Sequence, residues 1–196
     1  GNPLFVEQLV ANIGEEGDFA IPATVQALLA ARIDRLGPAE RDLIRCASVL
    51  GQRFSVAALV SLLPEPARGH VPRHLRTLEA KDLMLRGSDP ERGESGFRHV
   101  LIQQAAYRGM TMQTRGELHE RAADWLEAEA AQKFDETVGY HLERAYQYRQ
   151  QLGVLDDHTQ ELAIRAGETL AGAGLHVFTT RLDAAGAESL LDRARR

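Results

Sequence analysis

The stretch from Val71 to Ile102, VPRHLRTLEAKDLMLRGSDPERGESGFRHVLI, changes its hydrophobic period twice, and those changes decide the fold. Val71, Leu75 and Leu78 recur at spacings of four and three, the signature of one helix face, so a helix is expected to run to about Lys81. Leu83-Met84-Leu85 then reads as a short strand, residues 87–95 are rich in Gly, Ser, Asp and Pro, and Gly96-Phe97-Arg98-His99 reads as the return strand. The helical period resumes with Leu101, Ile102, Ala105 and Ala106.

Upstream, Asn2-Pro3 is a helix start, since Asn caps open backbone N–H groups and Pro suits the first turn. Ile21-Pro22 leads into a stripe of Val25, Leu28, Leu29, Ile33 and Leu36, which Gly37-Pro38 ends. Pro38 and Glu40 open a further helix with Leu43, Ile44, Ala47 and Leu50 on one face, and Ser55 caps another carrying Val56, Leu59, Val60 and Leu63. Three short helices followed by a two-stranded hairpin are the order of a winged-helix domain, a relative of the helix-turn-helix.

Downstream, the apolar sets Leu118/Ala122/Trp125/Leu126, Val138/Leu142/Ala145/Tyr146 and Leu162/Ala166/Leu170/Phe178 all follow helical spacing. The last of them, continued through Ala184, Leu190 and Leu191, reads as a helical hairpin with small residues at the crossing. The expected architecture is therefore mainly α: a winged-helix domain with a small β-hairpin, then an α-helical, TPR-like array.

With 44% hydrophobic and 26% charged residues in 196, the chain has the balance of a folded globular protein. Its apolar runs fall well short of the roughly 20 residues that cross a bilayer, so no membrane partner is expected. No secretory signal opens the chain, so a cytoplasmic setting is expected, and because it lacks an initiator Met it is expected to be a fragment. Cys46, the single cysteine, sits on a helical apolar pattern and reads as a small buried hydrophobe. The net charge of −5 makes no nucleic-acid footprint.

Two segments carry a family resemblance. Gly1-Asn2-Pro3-Leu4-Phe5-Val6-Glu7-Gln8-Leu9 resembles the G-x-P-L motif that closes the nucleotide-binding region of NOD and STAND signal-transduction ATPases, where the proline packs against adenine. Phe97-Arg98-His99-Val100-Leu101-Ile102-Gln103-Gln104-Ala105-Ala106-Tyr107 is similar to the M-H-D-L motif that ends the same family's winged-helix domain. His99 takes the place of the histidine that reaches the β-phosphate of ADP, at a strand-to-helix junction where anions are favoured. Phe97-Arg98 stands where the family has one Met, and Val100 replaces the Asp, so the Asp-dependent contacts are absent.

The resemblance implies three parts: residues 1–36 as the end of the nucleotide-binding or lid region, 37–112 as the winged-helix domain, and 113–196 as an incomplete helical array. It implies His99 and Pro3 as nucleotide contacts, and ADP or ATP held by a P-loop domain elsewhere in the same polypeptide. The array would sense a protein or small-molecule inducer, as in large regulators fused to cyclase, kinase or DNA-binding outputs. The sequence contains no G-x-x-x-x-G-K-[ST] loop and no G-x-S-x-G or Cys–His arrangement, so neither catalytic residues nor metal ligands are assigned to it. His70 and His74 lie one turn apart but lack a third ligand at helical spacing.

Two other readings compete. In a DNA-binding regulator Arg73, His74 and Arg76 would enter the major groove, although Glu79 and Asp82 beside them oppose this, and nucleic acid is not an expected partner. In a nucleotide-independent scaffold the helices from Gln113 onward would bind a protein, with Trp125, Tyr140, Tyr146 and Tyr148 read as packing residues.

Overall fold

In the computed structural model, which describes residues 23–87, 93–129, 136–181 and 184–195, helix α1 spans Ala23–Asp34 and α2 spans Pro38–Leu50. Arg41 Nη2 donates to Asp34 O (2.8 Å) and Leu36 O (2.9 Å), satisfying carbonyls that the end of α1 leaves open. Pro38 occupies the first turn of α2, and Glu40 accepts from Gly37 N–H at 3.4 Å. A hydrogen bond from Lys81 Nζ at 2.8 Å holds the Glu40 carboxyl below its ordinary pKa and ties the start of α2 to the end of a later helix. Gly51 stops α2 at φ 107°, ψ −167°, a conformation that side-chain-bearing residues rarely adopt.

Strand β1 (Arg53–Ser55) follows, then α3 (Val56–Leu62), α4 (Glu65–Arg68), α5 (Val71–Ala80), β2 (Met84–Arg86), β3 (Glu94–Phe97) and α6 (Val100–Arg108). The expected two-stranded hairpin is one strand short. β1 pairs antiparallel with β3, placing Phe54 opposite Ser95, and β2 pairs with the other edge of β3, placing Met84 opposite Phe97, so the sheet order is β1-β3-β2. A three-residue strand carries no period to read, and its one apolar side chain, Phe54, declares itself only through its edge-on contact with Phe97 (centroids 6.1 Å apart).

Ser55 closes β1 and caps α3, its Oγ accepting from Ala57 N–H at 3.1 Å. Ser55→Ala is expected to lower stability by about 1 kcal/mol, readable as a shift in the urea midpoint at constant slope. An unchanged midpoint would mean that water replaces the cap at no cost.

Four further helices follow among the described residues: α7 (Met112–Glu129), α8 (Glu136–Gln151), α9 (Asp157–Arg181) and α10 (Ala184–Ala194). Each of the last three packs against its predecessor. Small residues do stand at the α9–α10 crossing, where Gly174 approaches Ala187 O and Leu190 so closely that a Cβ would lie 3.2–3.3 Å from them. The fold is thus mainly helical with one small three-stranded sheet.

The largest apolar core gathers Ile44, Leu59, Leu62, Leu78, Leu83 and Phe97, and it also takes in Leu118 and Ala122 of α7. A second core joins Ala123, Val138, Leu142, Ala145 and Leu162. The expected boundary after residue 112 falls at the first residue of α7, and α7 contributes to the cores on both sides of it. Some residues of the apolar sets face solvent: Leu28 is 71% exposed and Phe178 50%, because their helices are covered on one side only. Among the described residues no helix is long and apolar enough to cross a membrane.

Candidate functional site

Phe97 anchors the end of β3 in the core, with its N–H bonded to Gln52 O at 2.9 Å, and Arg98 N–H reaches Leu83 O at 3.1 Å. The chain then leaves the sheet. His99 is extended (φ −148°, ψ 143°) and is the N-cap of α6. Its Nδ1 accepts from Leu101 N–H at 3.2 Å, while its carbonyl accepts from Ile102 N–H at 3.0 Å.

A neutral imidazole that accepts at Nδ1 carries its proton on Nε2. His99 is an exposed residue that caps α6 through Nδ1 and keeps Nε2–H as a hydrogen-bond donor beside the positive end of the α6 dipole. Val100, in place of the motif Asp, is 36% exposed. Pro3 and the rest of the first motif lie outside the described residues, so only His99 of the two expected nucleotide contacts has a described position.

Arg73 and Arg76 are exposed on α5, with His74 half-buried between them. Arg76 lines a depression of about 290 Å³ together with Glu79, Arg86 and Glu94, so carboxylates share the face that the DNA-binding reading needs to be basic. The Cys46 thiol is buried and pushed up to about 12 by desolvation, which leaves it protonated and unreactive. His70 and His74 meet only edge to face, at a centroid distance of 6.4 Å, and among the described residues no group of three or more His, Cys, Asp or Glu could hold a metal.

A polar cluster that the sequence reading missed lies at the other end of α6. Tyr107 Oη sits 2.8 Å from His119 Nε2 of α7 and 2.9 Å from Tyr148 Oη of α8. His119 Nδ1 lies 2.8 Å from His141 Nδ1, and Arg144 Nη2 donates to Tyr148 Oη at 2.6 Å. Arg115 closes the end of α6, donating to Tyr107 O (3.0 Å) and Arg108 O (2.9 Å).

Both rings are buried, His119 1% and His141 3% exposed. Burial, with the charges on Arg144 and Arg115 and the neighbouring His141, drives His119 down to about 2, and burial alone takes His141 to about 4. Burial likewise raises the Tyr107 phenol well above its ordinary value. Tyr148, read as a packing aromatic, is thus also a hydrogen-bonding member of this cluster, whereas Tyr140 is 42% exposed. The usable signal was His141, Arg144 and Tyr148 at spacings of three and four on α8, a polar stripe where its neighbours are apolar.

No family model matches the chain, and no solved structure matches it. An uncharacterized protein of Rhizobium meliloti (strain 1021) is 28% identical over 160 residues, covering 71% of this chain. The chain spans only 16% of the length of that relative.

Proposed function

We propose that this chain is a regulatory, non-catalytic portion of a STAND-type signal-transduction ATPase, coupling the nucleotide state of a P-loop domain to a helical sensor. The observation that carries the reading is His99, an exposed residue held at a strand-to-helix junction with its Nδ1 engaged by Leu101 N–H, which leaves Nε2 as the ring's donor at a helix N-terminus, where anions are favoured. Reading residues 37–112 as a winged helix is supported by the order α2, β1, α3, α5, β2, β3 and by the central place of β3 in the sheet. The stacked helices α7 to α10 support the TPR-like reading of residues 113–196.

In this reading ADP bound by the P-loop domain accepts from His99 and holds the resting arrangement. ATP shifts the population by making different contacts, and the helical array carries the response to a protein or small-molecule inducer. The mixed charge around α5 gives the nucleic-acid alternative no support.

The test compares ADP retained after purification of the full-length gene product in the wild type, His99→Ala and His99→Asn. Asn keeps an N-cap acceptor but removes the ring N–H. Both variants are expected to lose ADP affinity by about tenfold or more, the usual cost of removing a hydrogen bond to a charged group. Retention in the Asn variant alone would reduce His99 to a helix cap and overturn the reading.

A further inference from the structure

The cluster joining α6, α7 and α8 has a direction. A guanidinium can only donate, so Tyr148 Oη accepts from Arg144 (2.6 Å) and its own hydrogen goes to Tyr107 Oη (2.9 Å). Tyr107 then donates to His119 Nε2 (2.8 Å), which places the His119 proton on Nδ1, and that proton is donated to His141 Nδ1 (2.8 Å). His141 in turn carries its proton on Nε2. Reversing the chain would give Tyr148 Oη two donors and leave its own hydrogen without an acceptor inside a residue that is 4% exposed.

We propose that these five side chains form a one-way hydrogen-bond latch, polarised by Arg144, that locks helix α6 to the helical array in a single register. Because only this direction gives both tyrosine hydrogens and the His119 ring proton an acceptor, the latch is either complete or broken, which makes it a two-state element between the helix that carries His99 and the helix α8 that carries Arg144. The groups that act on the rings are Tyr107 from α6, Arg115 from α7, and Tyr140, Arg144 and Tyr148 from α8. Both rings must be neutral, since a proton on His119 Nε2 would oppose the Tyr107 hydroxyl and one on His141 Nδ1 would oppose the His119 Nδ1–H. The latch does not depend on the nucleotide reading and would hold equally in a scaffold protein.

Histidine-labelled protein at pH 7.5, studied by long-range proton–nitrogen correlation, tests the direction. His119 is expected in the less common Nδ1–H form and His141 in the Nε2–H form, assigned by the loss of each signal in His119→Gln and His141→Gln. In Arg144→Met the two ring nitrogens of His119 should move toward averaged shifts, and amide exchange at the end of α6 should quicken by about tenfold. Arg144→Lys, which keeps a donor-only cation, should restore the Nδ1–H form. Tyr107→Phe should quicken exchange at α6 to the same degree as Arg144→Met. An Nε2–H form of His119 in the wild type, or unchanged spectra and exchange in Arg144→Met, would overturn the proposal. Should Arg144→Met fail to fold, the wild-type tautomers and the Arg144→Lys spectrum decide alone.

Discussion

Gly139→Val is expected to lower the unfolding free energy by roughly 3 kcal/mol, an overpacking effect at a site that no local rule marks as special. Gly139 lies on α8 where α9 crosses it: a Cβ added there would sit 2.7 Å from Leu170 Cδ2, 2.8 Å from its Cγ and 3.5 Å from its backbone nitrogen. Leu170 is 1% exposed within the α9–α10 core, so its side chain has no space to retreat. Helix propensity pulls the other way, since Gly in a helix interior costs about 1 kcal/mol relative to Ala. The steric term wins because valine adds two further methyls to a contact already closed to the first carbon. Urea unfolding followed through Trp125, the single tryptophan and a half-buried residue of α7, checks it. A midpoint equal to or above the wild type would mean that α8 and α9 do not approach this closely.

Mild acid is the second large effect. The His119 and His141 rings ionise at about 2 and about 4 in the folded chain, against about 6.5 once unfolded. Below pH 6.5 the unfolded chain binds protons that the folded rings refuse, so stability falls with pH from that point, down to about 4 for His141 and about 2 for His119. Each ring contributes a slope of about 1.4 kcal/mol per pH unit, so at pH 5 the pair removes roughly 4 kcal/mol.

That loss is a large share of the 5–15 kcal/mol typical of a domain. Asp156, held at about 2 by its hydrogen bonds from Thr159 and by Arg149, responds only at much lower pH and leaves this window to the histidines. Stability measured by urea at pH 7.5, 6.0 and 5.0 should fall steadily. A flat profile would show that the folded chain accepts these protons and that the rings are not sealed from water.

Local patterns marked the helices well. Pro38, Glu40 and Ser55 start helices as their chemistry requires, and Gly51 stops one, because caps and breakers act within four residues of themselves. His99 was legible as a helix-entry residue for the same reason, although the use of its Nδ1 on Leu101 N–H belongs to the three-dimensional structure. β1 was not legible, since strand Arg53–Ser55 exists only because β3, some forty residues later, offers it an edge. The polar latch was not legible either. Tyr107, His119, His141 and Tyr148 come from three helices, and each residue alone fits an ordinary helical position.

By itself, then, the sequence determined most of the helices, several of their caps, the hairpin and the place of His99 at a helix entry, all of them consequences of interactions among near neighbours in the chain. Tertiary structure alone decided that α7 serves two cores, that β1 completes the sheet, and that two histidines lie buried and neutral beneath a tyrosine pair. These depend on which helix faces meet, and burial, the quantity that shifts a pKa and makes an unpaired hydroxyl costly, has no value until those faces have met.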